Sequence, residues 1–234
     1  MLSLKMMQDR WPHGNQHAPG LLEGIASAST TVFPRYGLTS PLTVAHAMAQ
    51  FSEECGQGLE LLECLDYSRE GLLHCFPTHF TPSMAERWQH HPQMIGAVAY
   101  GGRMGNAPPP STDGYDFRGA GLSQVTGRDS LTHLQAFLQE HGTNLDLVEH
   151  HGFLTDPVWA LECAVADWVL CGCLPYAERD DIEGVTKRLN GGLNGLEERK
   201  RQLGSWKAEL NVPKSEARVA KSISASRRAK RRPS

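Results

Sequence analysis

The sequence predicts a mainly α (α+β) fold: a two-lobed helical domain with a substrate cleft and a small loop/hairpin region. Three observations carry this. Apolar residues recur at helical spacing through several stretches, two of these stretches open on a cap residue followed by proline, and the glycines and prolines crowd between Gly101 and Gln124. The first clear helix starts at Thr39-Ser40-Pro41, a hydroxyl cap with proline at the first helical position. Val44, Ala47, Met48, Phe51 and Cys55 form its buried stripe, and Gly56 and Gly58 break it. From Gly101 to Gln124, Asp113-Gly114 and its neighbours read as long loops with a small hairpin. Leu131, Leu134, Phe137 and Leu138 mark the next helix. Asp156-Pro157 reads as another start, and Val158 to Leu170 is apolar on nearly every face, as a central buried helix would be. Ile182, Val185 and Leu189 give a shorter helix ending at Asn190-Gly191-Gly192, and Leu196, Leu203, Trp206 and Leu210 a final one.

The chain has 234 residues, enough for one full core, and shows no internal repeat. The expected organisation is an N-terminal segment 1–18, a folded domain 19–212 and a basic tail 213–234. The net charge of −3 conceals two opposed regions. Residues 1–213 carry 15 Lys/Arg and 25 Asp/Glu, net −10, whereas residues 214–234 carry eight Lys/Arg against Glu216, net +7. Such a tail is expected to be disordered and attracted to polyanions, for instance an anionic envelope polymer. The first ten residues have no apolar signal core, and no stretch is long enough to span a membrane. The expectation is cytoplasmic synthesis with the six cysteines reduced. Cys171-Gly-Cys173, His90-His91 and His150-His151 lack zinc-type ligand spacing, so no metal and no cofactor is expected.

The residues that point to chemistry are Glu54 and Glu63, nine apart, in the run Ala45-His-Ala-Met-Ala-Gln-Phe-Ser-Glu-Glu-Cys-Gly-Gln-Gly58 and its continuation to Glu63. Most glutamate pairs are solvated surface. This pair differs because Glu54 borders the buried stripe and falls at the last helical turn, facing the negative end of the helix dipole. Both influences favour its protonated form, as a general acid requires. Glu63 follows the glycine break, on a segment able to fold back toward Glu54. Two carboxyls in different surroundings can protonate a leaving oxygen and activate water, the chemistry of glycosidic-bond hydrolysis.

The same run resembles the catalytic helix of glycoside hydrolase family 19, in its compact bacterial chitinase and phage endolysin branch. That family carries Ala-His-Phe-Leu-Ala-Gln-x-x-His-Glu-Ser/Thr-Gly-Gly with a second glutamate shortly after. Further blocks agree in order: Tyr67-Ser-x-Glu-Gly-Leu72, Phe76-Pro-x-x-Phe80-Thr-Pro82, Tyr100-x-x-Arg103-Met-Gly-Asn106, Asp113 to Asp129, and Asn190 to Arg199. The resemblance implies a lysozyme-like fold and an inverting mechanism, with Glu54 as general acid, Glu63 as general base and Thr126 positioning the attacking water. It implies a substrate-binding role for Gln124, Asn190 and Arg199, and the matched blocks add Arg103, Asn106 and Tyr67. Glu53, Cys55 and Gln57 depart from the pattern; Glu53 either repels charge on Glu54 or points to solvent. Trp88 and Tyr115 are sugar-stacking candidates, with Tyr100 a further one, while Trp159 and Trp168 read as core.

The expected polymer partner is peptidoglycan or chitin, both built from β-1,4-linked N-acetylated amino sugars. Small size, the missing signal and the basic tail favour a wall-lytic enzyme reaching its target by holin-type release or secretion-system delivery. A chitinase is the nearest alternative. A non-catalytic glycan- or polyanion-binding protein is the alternative of a different class, and no obligate nucleic-acid partner is expected.

Overall fold

The computed structural model describes residues 1–213; the basic tail lies outside the described residues. In chain order the helices are α1 (Leu4–Arg10), α2 (Leu21–Arg35), α3 (Pro41–Glu54), α4 (Arg69–Cys75), α5 (Pro82–Trp88) and α6 (Pro92–Tyr100), then α7 (Asp113–Asp116), α8 (Arg128–Glu140), α9 (Ala160–Leu170), α10 (Leu174–Ala177), α11 (Ile182–Asn190) and α12 (Leu196–Glu209). Among the described residues there is no named strand, only two isolated bridges, Leu62 with Ala120 and Ala120 with Val125. The expected hairpin is thus reduced to a three-segment ladder one residue pair long, and the fold is mainly α.

Helix α3 begins where the sequence predicts. The Ser40 hydroxyl accepts from Thr43 N–H at 3.2 Å and Pro41 occupies the first position, a cap worth about 1 kcal/mol. Its burial exceeds a single stripe: every residue from Leu42 to Ser52 is buried, so α3 is the central helix. Burial on all faces obliges its polar side chains to find partners. His46 meets Asp180 at 3.0 Å. The Ser52 hydroxyl accepts from the indole N–H of both Trp11 and Trp206, each at 2.9 Å, and donates to the Met48 carbonyl at 2.7 Å. One hydroxyl therefore ties the N-terminal segment, α3 and α12 together. Leu2, Met7 and Trp11 lie in the main core, so the N-terminal segment 1–18 packs onto the domain that follows it.

The Asp156-Pro157 signal also needs correction. Asp156 Oδ1 accepts from Val158 N–H at 2.8 Å and the Asp156 carbonyl accepts from Trp159 and Ala160, so the signal builds a turn and α9 begins at Ala160. Val158 is left 64 % exposed, whereas Ala160–Ala166 and Trp168 are buried as expected. Arg35 of α2 and Glu162 of α9 close that contact at 2.5 Å.

Two apolar clusters underlie the two lobes. The larger is built on α1–α3, α8, α9, α11 and α12. The smaller holds Leu65, Leu72, Phe80, Ala85 and Ile95, with Tyr67, Phe76, Trp88, Tyr100 and Tyr115 packed against it. Glu54 ends the central helix of the first, and Glu63 lies two residues before Leu65 of the second.

Candidate active site

Glu54 is the last residue of α3, with its side chain 13 % exposed. One turn earlier, buried Gln50 donates to Thr186 Oγ1 at 3.2 Å and accepts from Arg199 Nη1 at 2.7 Å. The Arg199 Nε donates to the Asn194 carbonyl at 3.1 Å, and Nη2 lies 2.8 Å from Glu54 Oε1. That last contact is a close ion pair but lies off the N–H direction, so Glu54 Oε1 has no aligned donor. Arg199 is 2 % exposed and spent on these partners; it positions the end of α3 rather than lining an open cleft.

Glu53 neither faces solvent nor stands free. It is half-buried against the Asn194–Gly195 turn, where a Cβ on Gly195 would sit 2.3 Å from its Oε1. Burial raises its carboxyl from the ordinary range, opposed by Arg199 and reinforced by Glu198 and Glu54. Asp167 of α9 is a group the sequence reading passed over. Desolvation pushes it up to about 6, against a hydrogen bond from Ser123, and the charge of Glu54 adds to the shift. An aspartate inside the largely apolar 158–170 run, which otherwise carries only Glu162 as a charged residue, was the available signal.

After α3 the chain reverses through Gly56, Gln57 and Gly58, all at positive φ of 52°, 57° and 90°. This left-handed run favours glycine, and a Cβ on Gly58 would lie 2.9 Å from Gly14 Cα. The reversal delivers Leu61–Glu63 alongside Gly119–Gly121. Glu63 N–H donates to the Gly119 carbonyl at 2.8 Å, and Gly121 N–H to the Leu61 carbonyl at 2.8 Å. The Glu63 carboxylate accepts from the Tyr100 hydroxyl at 2.6 Å on one oxygen and from Gly119 N–H at 3.1 Å on the other.

Gly119 is the meeting point of three predicted site residues. A Cβ there would lie 2.9 Å from Gln124 Oε1, 3.3 Å from Thr126 Oγ1 and 3.4 Å from Glu63 Cβ. Gln124 sits at φ 57° and gives its Nε2 to the Glu60 and Gly121 carbonyls, each at 2.9 Å. Thr126 Oγ1 donates to the Gln124 carbonyl at 3.0 Å, leaving its lone pairs for a water. Gly119→Ala is expected to crowd this meeting point and displace Gln124. The backbone at Gly119 is not left-handed, so turnover should fall about tenfold or more while thermal denaturation stays within about 3 °C. Steady-state kinetics beside a melting curve checks it; unchanged turnover would show that the arrangement around Gly119 is not used.

The other predicted contacts divide. Tyr67 is half-buried, its ring edge-on to Phe76 at 5.4 Å, and its phenol is raised by burial first, then by Cys75, Glu63 and Cys64. Asn190 ends α11 ahead of left-handed Gly191, with a buried Oδ1 lacking a partner. Asn106 is 5 % exposed and committed internally, donating to the Tyr100 carbonyl at 3.1 Å and accepting from Arg128 N–H at 2.9 Å. Arg103 is exposed, donates to the Ala99 carbonyl at 2.7 Å and contacts His79. The structure therefore gathers Glu63, Thr126 and Gln124 around Gly119, and pairs Glu54 with Arg199, whereas Asn106 braces a turn.

All six cysteines are unpaired, no cluster of three or more His, Cys, Asp or Glu is placed to hold a metal, and no helix is long and apolar enough to cross a membrane, among the described residues.

The domain is α-helical and two-lobed, with one carboxyl at the end of a buried helix and another held by two donors. The chain is 31 % identical over 192 residues to a protein of Haemophilus influenzae (strain ATCC 51907 / DSM 11121 / KW20 / Rd) named a glycosyl hydrolase family 19 domain-containing protein, a match covering 79 % of this chain and 88 % of that relative. No family model matches the chain. At this identity and coverage, the chain belongs to glycosyl hydrolase family 19.

Proposed function

We propose that this protein hydrolyses β-1,4 bonds between N-acetylated amino sugars of bacterial peptidoglycan, by a single displacement. Glu54 protonates the leaving oxygen, Glu63 accepts the proton of the attacking water, and Thr126 holds that water. The observation that carries this reading is the close approach of Glu63, Thr126 and Gln124 around Gly119, where a Cβ would intrude. Glu63 is a fixed acceptor there, with its two known donors leaving lone pairs free. Single displacement needs carboxyls separated by roughly 6.5–9.5 Å so that water fits between them. The sugar formed at the cleavage point then inverts from β to α.

The preference for peptidoglycan over chitin rests on the sequence: the strongly basic stretch 214–234 is fitted to an anionic envelope. In this reading the enzyme belongs to the compact bacterial and endolysin branch. Its route to the wall is release through a membrane pore or delivery by a secretion system.

The test is product analysis of purified peptidoglycan sacculi and colloidal chitin by mass spectrometry, with the anomers read immediately after cleavage. Muropeptides with a fresh α anomer are expected, and little product from chitin. Chito-oligosaccharides from the chitin, with the sacculi left intact, would reassign the substrate to chitin. Retention of the β anomer would overturn the single displacement.

A further inference from the structure

Tyr100 comes from the end of α6 and reaches a group 37 residues earlier in the chain. Its hydroxyl lies 2.6 Å from Glu63 Oε1, shorter than the 3.1 Å contact that Gly119 N–H makes with Oε2. We propose that Tyr100 is a positioning residue for the reaction, the donor that sets the orientation of the Glu63 carboxylate as base. The inference rests on the glycosidase reading given above, and it assigns to Tyr100 a task different from sugar stacking.

Four features converge on this role. The phenol must stay protonated to donate, and burial raises it far above its ordinary range, with the hydrogen bond and charge of Glu63 adding to the effect. The ring is fixed in the smaller apolar cluster, edge-on to Phe76 at 6.3 Å. The backbone is fixed too: the Tyr100 carbonyl accepts from Asn106 Nδ2 at 3.1 Å, and Asn106 Oδ1 accepts from Arg128 N–H at 2.9 Å at the start of α8. The turn Arg103–Asn106 thus explains itself as the support of Tyr100. Finally, the two donors of Glu63 come from different parts of the chain, Tyr100 from the smaller cluster and Gly119 from the ladder beside Thr126. The carboxylate is held at both oxygens and keeps its remaining lone pairs for water.

The consequence is that the packing of the smaller lobe fixes the aim of the base. A carboxylate released from one of two donors rotates about its last torsion, and misplacement by about 1 Å costs on the order of 100-fold in rate. In this role Tyr100 acts through the base, so its loss acts on turnover and leaves ground-state binding alone.

The experiment compares wild type, Tyr100→Phe and Glu63→Gln on soluble N-acetylglucosamine hexamer and on peptidoglycan sacculi. Tyr100→Phe keeps the ring and its Phe76 contact, so the fold survives. For Tyr100→Phe, kcat is expected to fall about 10- to 100-fold on the substrate cleaved, with KM within about twofold. A role confined to packing predicts no such split. Wild-type kcat in Tyr100→Phe beside an inactive Glu63→Gln overturns the inference and leaves the glycosidase reading standing. A rise in KM with kcat preserved also overturns it, by returning Tyr100 to sugar binding. Full activity in Glu63→Gln removes the base, and both readings fall together.

Discussion

Glu54→Gln is expected to lower hydrolysis of unactivated glycan by about 10²- to 10⁴-fold, the range that a general acid contributes, while glycan binding persists. The amide matches the carboxyl in shape, so packing around Arg199 and Gln50 is largely kept, while the transferable proton and the charge paired with Arg199 are lost. A purely structural role for Glu54 would predict the same loss through misfolding, and leaving-group chemistry separates the two. A substrate whose leaving group is a nitrophenol needs little protonation on departure. The variant should therefore recover most of the wild-type rate on a nitrophenyl glycoside of an N-acetylglucosamine oligomer, while remaining poor on the natural linkage. Equal loss on both substrates would show that Glu54 holds the site rather than donating a proton. Undiminished cleavage of both would refute the assignment. Isothermal calorimetry with the hexamer completes the comparison, because retained binding excludes collapse of the cleft.

How much of this could be read from the chain differs from residue to residue. The start of α3 was legible because Ser40-Pro41 is a local signal satisfied three residues away, at Thr43 N–H. Its end was legible for the same reason: the positive φ angles of Gly56 and Gly58 are what glycine permits. Asp156-Pro157 misled because an aspartate before proline serves a turn as well as a helix cap, and the winner depends on where the next apolar face must pack. The central position of α3 was hidden by its polar residues. His46, Gln50 and Ser52 lower the apparent hydrophobicity, yet each is buried against a partner more than 130 residues away or, for Ser52, against Trp11 and Trp206. Family resemblance located Arg199 and Asn106 but not the direction of their side chains. Those directions depend on contacts 149 residues apart for Arg199 with Gln50, and 22 apart for Asn106 with Arg128. Tyr100 read as an aromatic sugar platform for a similar reason: its decisive atom is the hydroxyl, whose partner is fixed only once the smaller lobe has packed.

Arg199→Met is expected to cost the fold about 3–5 kcal/mol, the usual consequence of removing one member of a buried ion pair. The guanidinium side chain is 3 % exposed and that of Glu54 13 %, so solvent replaces little of what is lost. Methionine fills similar space but leaves Gln50 Oε1 and the Asn194 carbonyl without their donor and Glu54 without its counter-charge. At about 2–4 °C per kcal/mol for a domain of this size, the melting temperature should drop by roughly 6–20 °C. Added salt should not restore it, since a buried pair is weakly screened. The expected loss has two parts, and a double-mutant cycle divides them. If the pair with Glu54 carries a share, Arg199→Met costs less in a Glu54→Gln background, with a coupling of about 0.5–3 kcal/mol. Strict additivity would place the whole effect on Gln50 and Asn194, making Arg199 a brace between α3 and α12 with no electrostatic hold on the acid. Coupling instead ties stability to function at one carboxyl. The charge that secures the end of α3 is then the same charge that Glu54 gives up whenever it carries a proton for catalysis, so an acid poised for transfer is necessarily a weaker lock on the fold.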